Sequence, residues 1–463
     1  MTNPAPGTAA RRGRAWLETW TPEDETFWRE TGSAIAWRTL TLTTITLVLS
    51  FASWFAISAV VPRLRFVGFQ FTDDQEFWLL AMPGLAAGSL RMIHTFLIPI
   101  FGTRAVVGTA TLLKLIPCIG LGLAVMNPQT PFWLFMVLAF AAGMGGGDFS
   151  SYMPSTSLFF PKRLQGTALG IQAGIGNFGV SLAQFVTPWI ICFAAFGTLA
   201  GASETFTKAG VAKPIWLQNA FFVYVPLLVV LGTACFVWLR SVPVRVAFRD
   251  QLDIFRNKHT WFCTITYVMT FGSFAGLAMV FPKMIAMIYG KIPNPPDPLA
   301  FAFYGPLIGS ASRVLFGFVA DKVGGAILTT ITGIALIGLC SALVLSGVLV
   351  PTSSAEVGAA HFPLFVGLML AVFFFTGVGN AATFRQYPLI FSHSPRQGAG
   401  VLGFTGAVAA YGPLAVSTLI GVSIAHTESK SANGFFVGAI AFYVVATGIN
   451  WWYYTRKGAE VRC

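Results

Sequence analysis

Charged residues are scarce in this chain: Asp, Glu, Lys and Arg together make up 10% of its 463 residues. Soluble domains carry about 25% charged residues, so the composition argues against a water-soluble fold. Apolar stretches recur along the chain and are too long and too regular for two or three soluble domains. The chain is therefore predicted to be one membrane unit built of many spans.

No two cysteines have the spacing of a metal site, and all but the terminal cysteine lie in apolar stretches. Thiols in such stretches pack as small hydrophobic groups. We therefore predict no disulfide, no metal site and no bound cofactor. The six cysteines are Cys118, Cys192, Cys235, Cys263, Cys340 and Cys463.

A nucleic-acid partner is not expected, although the formal charge is +12. The basic residues stand in short clusters between apolar runs, and no basic patch is interleaved with aromatic residues that would stack bases. The polar start of the chain, residues 1–37, lacks the apolar core and cleavage site of a signal peptide. We therefore expect the first span to serve as the insertion signal.

Apolar windows of about 20 residues, the length that crosses a bilayer as a helix, predict an all-α membrane protein with twelve spans. The windows lie at 35–60, 76–100, 104–126, 131–158, 165–196, 214–239, 259–289, 299–320, 325–350, 361–391, 398–424 and 434–455.

Lys and Arg residues gather on one side of this map, and cytoplasmic loops carry such an excess in membrane proteins. Both termini are therefore predicted to be cytoplasmic. The residues on the basic side are Arg11, Arg12, Arg14, Arg104, Lys162, Arg163, Arg240, Arg245, Arg249, Arg256, Lys258, Lys322, Arg396, Arg456 and Lys457.

The longest polar connection falls between spans six and seven and divides the chain into two halves of six spans. We therefore predict two pseudo-symmetric six-helix bundles that face each other across a central cavity. The predicted segments are a cytoplasmic N-terminal segment, 1–34; a first bundle, 35–239; a cytoplasmic linker, 240–258; a second bundle, 259–455; and a cytoplasmic tail, 456–463.

A repeated turn supports this duplication. The sequence GFVADKVGG lies between spans eight and nine, and FGTRAVVG lies at the equivalent place between spans two and three. The cluster of Gly317, Asp321, Lys322 and Gly324 resembles the cytoplasmic loop motif of the major facilitator superfamily. That resemblance implies the twelve-helix transporter fold of the superfamily.

Two arginines lie inside predicted spans, Arg91 in span two and Arg313 in span eight, which are equivalent helices of the two halves. An arginine near the bilayer centre costs about 2.5–3.5 kcal/mol, so each must face a cavity or a partner. A converging pair favours a small planar oxyanion, because a guanidinium donates parallel hydrogen bonds to two oxygens. The alternative, simple pairing with buried carboxylates, needs more acids than Asp148, especially when Arg385 in span ten is counted.

Glycines cluster in spans five and eleven, in GIQAGIGNFGVS and GAGVLGFTGAV. GIGNFG matches a dinucleotide-binding pattern, but no βαβ unit surrounds it, so nucleotide binding is rejected. Small residues at these spacings let membrane helices approach closely, either for packing alone or for sliding during transport. Asn177 differs, because an amide in an apolar helix needs a partner and can donate to a bound anion. The glycines assigned to packing or gating are Gly174, Gly176, Gly179, Gly400, Gly403 and Gly406.

Nearly the whole chain resembles the NarK-type nitrate/nitrite porter family of the major facilitator superfamily. The likeness rests on WTPEDETFW before span one, VGFQFTDDQ after it, SLRMIHTFLIPIFGTR in span two, FFPKRLQGTALGIQAGIGNFGVS from span four into five, and TFGSFAGLA in span seven. The glycine-rich sequences of spans five and eleven match the family's nitrate motifs.

This resemblance implies an antiporter that exchanges nitrate for nitrite by alternating access, with a proton-coupled nitrate or nitrite symporter as the alternative. The expected partners are the two anions and the lipid bilayer, and the expected state is a monomer. The positions that match the family's binding site are the arginines Arg91 and Arg313, the polar residues Asn177 and Tyr267, and the aromatic pair Phe51 and Phe149.

Three ionisable residues depart from the family's pattern: Asp148 in span four, His94 three residues after Arg91, and Arg385 in span ten. Spans four and ten are symmetry mates that line the same cavity, so our preferred interpretation is a buried ion pair between Asp148 and Arg385. Alternatively, Asp148 or His94 takes up a proton during transport, because both side chains titrate.

Catalysis is not expected. The acids lie mostly in loops, and no nucleophile, base and metal ligand fall together at a membrane face. The five histidines are scattered, at His94, His259, His361, His393 and His426.

Overall fold

The computed structural model describes residues 15–197, 201–208, 211–243 and 248–463. Four basic residues used to predict the orientation, Arg11, Arg12, Arg14 and Arg245, lie outside the described residues.

Twelve helical spans follow one another in the described part of the chain, which confirms the predicted fold class. The predicted span five was drawn too long at its carboxyl end. The spans are α1, Ser33–Val60; α2, 73–101; α3, 103–125; α4, Phe132–Phe159; α5, Lys162–Ile190; α6, Asn219–Trp238; α7, Lys258–Tyr289; α8, Pro298–Val323; α9, Gly325–Leu345; α10, Ala355–Ile390; α11, Pro395–Ala409 continued by Gly412–Ala425; and α12, Asn433–Thr455.

Shorter elements connect these spans. A two-stranded antiparallel hairpin, β1 (Glu204–Lys208) and β2 (Val211–Ile215), lies between α5 and α6. Two helical turns, Glu25–Phe27 and Trp28–Gly32, precede α1. A further turn, Val61–Val67, follows α1, and another, Phe248–Arg256, precedes α7. Because the spans alternate in direction, both termini and the α6–α7 connection share one end of the molecule, here called the terminal end. The opposite end, with the hairpin, is called the distal end.

The two halves meet along two pairs of helices that are related to each other by the symmetry of the halves. Spans α2 and α11 pack together, as do α5 and α8. On α2, a Cβ at Gly84 would lie 2.5 Å from the Leu414 backbone nitrogen, and a Cβ at Gly88 would lie 2.5 Å from the Tyr411 ring. Glycine therefore permits the close approach of α2 and α11. Spans α2 and α5 are the two described spans that are less apolar than the other ten, because polar side chains such as Arg91 and Gln172 lie inside them.

Both copies of the repeated turn place a glycine in the left-handed region. Gly102, between α2 and α3, has φ 78°, and Gly324, between α8 and α9, has φ 101°. A residue with a side chain rarely adopts such a φ, whereas glycine does so freely. The two halves therefore turn in the same way at equivalent points, as the duplicated sequence predicts.

Candidate functional site

Arg91 is fully buried at the centre of α2 and is held from two sides. Its Nε donates to the Gly146 carbonyl of α4 at 2.7 Å, and its Nη1 donates to the Gly406 carbonyl of α11 at 2.7 Å. Its Nη2 has no hydrogen-bond partner. Arg91 is thus fixed by backbone carbonyls from both halves, with one donor nitrogen left free.

Arg313 on α8 is the second buried arginine, and both of its terminal nitrogens lack a hydrogen-bond partner. Its Cζ lies 4.6 Å from the centroid of the Phe384 ring. In the described part of the chain neither Arg91 nor Arg313 pairs with a carboxylate. Their guanidinium groups therefore leave three NH₂ groups available to a ligand.

Aromatic rings connect the two arginines. The centroid of the Phe149 ring lies 4.8 Å from the Arg91 Cζ. The same ring stacks with Phe51 at a centroid distance of 6.3 Å and an interplanar angle of 21°. Phe149 also stacks with Phe271 at 6.5 Å and meets Phe384, the ring next to Arg313, edge-on at 6.4 Å. A planar group between or beside these rings would have aromatic faces above or below it.

Two further polar side chains complete the set matched by the resemblance. Asn177 is buried on α5, and neither atom of its amide has a partner. The Tyr267 hydroxyl on α7 also lacks a partner, and its ring stacks on Phe271 at 5.5 Å and 9°. Buried polar atoms in proteins are nearly always hydrogen-bonded, so the unpaired donors of Arg91, Arg313 and Tyr267 around one set of rings mark a candidate ligand site. Asn177 is assigned to this site by the resemblance.

The predicted buried pair between Asp148 and Arg385 is wrong. The Lys114 Nζ donates to the Asp148 Oδ2 at 2.5 Å, and the Ser50 Oγ donates to the same oxygen at 2.6 Å. Arg385 is 41% exposed and pairs with Asp321 at 2.8 Å near the terminal end. The cause is the position of Arg385 along α10, which places it beyond the cavity. Lys114 lies inside predicted span three, so the rule that singled out Arg91 would also have found it.

His94 lies beside this buried pair. Its Nδ1 is 2.7 Å from the Ser151 hydroxyl and 4.0 Å from the Asp148 Oδ1. That carboxylate oxygen has no hydrogen-bond partner. Because Lys114 neutralises Asp148, the charges of Arg91 and Arg313 remain uncompensated at the site.

The six glycines behave differently in the two spans. On α5, a Cβ at Gly174, Gly176 or Gly179 would come within 2.8 Å of α8 or α1. On α11, the nearest atoms to a Cβ are farther away, at 3.3 Å for Gly400, 3.5 Å for Gly403 and 3.8 Å for Gly406. The nearest atom to Gly406 is the Arg91 Nη1. The α5 glycines thus serve close packing, whereas Gly406 leaves room beside the arginine.

Sequence reasoning missed Lys114, Phe271 and Phe384. The two phenylalanines are among 44 in the chain, and nothing in their local sequence distinguishes a ring beside an arginine from a ring in the core.

Twelve helices in two bundles around a buried, positively charged polar site define a membrane transporter. The sequence profile of the Major Facilitator Superfamily matches residues 43–414. The chain is 54% identical to the probable nitrate/nitrite antiporter NarK2 of Thermus thermophilus, over 97% of this chain and 98% of the relative. It is 33% identical to the nitrate/nitrite transporter NarU of Escherichia coli, over 96% and 98%. The chain therefore belongs to the NarK-type nitrate/nitrite porter family of the Major Facilitator Superfamily.

A solved structure shows the same fold. The crystal structure of a bacterial homologue of the human lysosomal transporter Spinster matches with a TM-score of 0.64 over 90% of this chain and 96% of its own. The sequence identity is 15%, so the likeness concerns the architecture alone.

Proposed function

We propose that this chain exchanges nitrate for nitrite across the inner membrane of a bacterium. One observation carries the proposal: three NH₂ groups of Arg91 and Arg313 are buried without partners among aromatic rings. Guanidinium groups donate parallel hydrogen bonds to planar oxyanions, and nitrate and nitrite are both small, planar and monovalent. The names of the relatives, a probable nitrate/nitrite antiporter and a nitrate/nitrite transporter, support the same substrates.

The candidate side chains contribute to anion binding in three ways: charge, hydrogen bonds and contact with aromatic rings. Arg91 and Arg313 hold the anion's charge, while Asn177 and the Tyr267 hydroxyl supply further donors from opposite halves. The rings of Phe51 and Phe149, with Phe271 beside them, face the plane of the anion. Tetrahedral divalent anions fit such a slot poorly, because their oxygens do not lie in one plane.

Exchange follows from the charge balance. An empty cavity that closes over two uncompensated guanidinium groups suffers both desolvation and like-charge repulsion. A bound anion offsets part of both costs, so closure is favoured when substrate is present. A guanidinium group is not deprotonated in proteins, so the carrier keeps its two positive charges and returns only with a second anion.

The orientation and the division of the chain belong to the same proposal. We place the terminal end in the cytoplasm, because the basic residues of the described loops, such as Arg104 and Arg240, lie there. Residues 35–239 and 259–455 rock against each other as two bundles, joined by the linker 240–258. The functional unit is a monomer, because the site lies inside one chain.

Proton-coupled import is the second candidate, and one contact favours it. The Asp148 Oδ1 has no hydrogen-bond partner and lies 4.0 Å from the His94 Nδ1. A proton bound to this pair would cross the membrane together with the imported anion. The carrier would then not need a second anion to return.

Nitrate uptake into proteoliposomes distinguishes the two candidates. Vesicles are preloaded with nitrite or left empty, with and without an imposed pH gradient, and Arg91→Lys serves as the inactive control. Exchange predicts uptake that requires internal nitrite and ignores the gradient. Uptake into empty vesicles driven by protons would contradict exchange and point to Asp148 or His94.

A further inference from the structure

Asn380 on α10 is a buried polar side chain without hydrogen-bond partners, as are several side chains of the candidate site. Its side chain is 0% exposed, and neither its Nδ2 nor its Oδ1 has a hydrogen-bond partner. Among the buried side-chain amides in the described part of the chain, only Asn177 and Asn380 leave both atoms unpaired. Neither the sequence motifs nor the arginine pattern assigns Asn380 a role.

The face of α10 that carries Asn380 covers Arg313. Phe384, one turn later, lies 4.6 Å from the Arg313 Cζ and 5.7 Å from the Tyr267 ring. Gly377, one turn earlier, approaches α8 so closely that a Cβ would lie 2.1 Å from the Gly309 carbonyl. Residues three and four apart share one face of a helix. Asn380 therefore lies between these contacts, on the side of α10 that faces the second arginine.

An unpaired buried amide is unfavourable in the protein without ligand. Native proteins leave few such groups, and each calls for a specific explanation. The amide Nδ2 can donate to an oxygen of an anion held by Arg313, which removes the deficit only when substrate is bound. Asn177 on α5, in the first half, is likewise a buried amide with both atoms unpaired.

We propose that Asn380 is a further anion-binding residue, which donates its amide hydrogen to the bound nitrate or nitrite. This inference rests on the proposed function and extends its site to α10. Each half then contributes one arginine and one asparagine to the anion.

Asn380→Leu in the full-length protein tests this assignment. We expect the nitrate KM for exchange in proteoliposomes to rise about 10- to 100-fold, the loss typical of one hydrogen bond to a charged group. The thermal midpoint without nitrate is expected to stay or rise, because an apolar group replaces an unpaired amide. The increase in thermal midpoint on adding nitrate is expected to be smaller in Asn380→Leu than in the wild type. Asn380→Asp, which keeps the size, should also weaken binding because its carboxylate competes for Arg313.

Thr383→Val is the matched control on the same helix. The Thr383 hydroxyl donates to the Gly379 carbonyl of its own helix at 2.9 Å, so its removal should leave the KM unchanged. A lower thermal midpoint for Asn380→Leu with a wild-type KM would show a purely structural role and overturn the inference. If nitrate and nitrite fail to stabilise the wild-type protein at all, the proposed function fails and this inference fails with it.

Discussion

Buried charged side chains in this protein are of two kinds. Lys114 and Asp148 neutralise each other inside the first half. Arg91 and Arg313 have no carboxylate partner in the described part of the chain and keep free donor nitrogens. Lys114 and Asp148 form a neutral pair, whereas Arg91 and Arg313 leave a positive site, which we propose is neutralised by a bound anion.

Arg313→Lys is expected to reduce nitrate exchange at least about tenfold, because an ammonium group cannot donate the parallel hydrogen bonds of a guanidinium. Initial rates of nitrate uptake into nitrite-loaded proteoliposomes measure the effect. Arg385→Lys is the control, since Arg385 is half-exposed and pairs with Asp321. Equal losses in both variants would contradict a special role for Arg313.

Asp148→Asn is expected to destabilise the protein by about 3–5 kcal/mol, because it leaves the buried Lys114 ammonium without a counter-charge. The double variant Lys114→Met/Asp148→Asn should recover most of that loss. Thermal unfolding of the purified protein in detergent measures both. Exchange by the double variant should also keep the wild-type pH profile, and a changed profile would instead indicate that Asp148 carries a proton.

At the scale of elements, glycine decides how closely helices approach. A Cβ at Gly179 would lie 2.2 Å from the Val48 carbonyl of α1 and 3.0 Å from the Phe51 Cβ. A Cβ at Gly170, on the same helix, meets no atom within 4 Å. The two positions therefore separate a packing requirement from the general effect of alanine in a helix.

Gly179→Ala is expected to cost about 1–3 kcal/mol, as overpacking does in well-packed interiors, and to displace Phe51 from the site. Gly170→Ala should leave stability and exchange close to wild type. Thermal midpoints and nitrate KM values for the two variants make the comparison. A wild-type KM for Gly179→Ala would separate the packing of α1 and α5 from anion binding.

At the scale of the whole molecule, ion pairs join the halves at the distal end. Lys283 on α7 bonds to both Asp73 and Glu76 at the start of α2, and Arg63 lies 3.3 Å from Asp297. These three ion pairs between the halves all lie at this end and are here called the distal latch.

Lys283→Met is expected to shift the protein towards a conformation open at the distal end, because it removes both ion pairs between α7 and α2. The two carboxylates of α2 then stay paired with Arg65 of their own half. Distances between spin labels on the α1–α2 and α7–α8 loops measure the shift. Lys258→Met, which removes an exposed pair with Glu460 at the terminal end, is the control. Unchanged distances in Lys283→Met would show that packing alone closes the distal end.

The distal latch should also respond to pH. Burial raises the pKa of Asp73, but Lys283 and Arg65 lower it by more, so the pKa lies below its ordinary value. A carboxyl with a lowered folded pKa contributes stability above its unfolded pKa, near about 4. The contribution disappears as the pH falls through the folded pKa. The same label distances should therefore lengthen below about pH 4 in the wild type and change less in Asp73→Asn.

Local chemistry made much of the site predictable. Arg91, Arg313 and Asn177 stand out because a polar group in an apolar window is costly wherever the helix packs. Phe271 did not stand out, since a phenylalanine is common in any span, whereas Asn380 could have been found by the reasoning applied to Asn177. Lys114 could have been found by the same reasoning as the arginines.

The sequence by itself determined the twelve spans, the division into halves and the placement of the arginines at equivalent points. These features follow from transfer free energies of short segments, which depend on composition and length. Only the tertiary structure decided that Asp148 pairs with Lys114 instead of Arg385, and that Phe271, Phe384 and Asn380 lie on faces that meet the arginines. Such contacts depend on how each helix is rotated and how far along its axis it packs, and these are set by the whole bundle together.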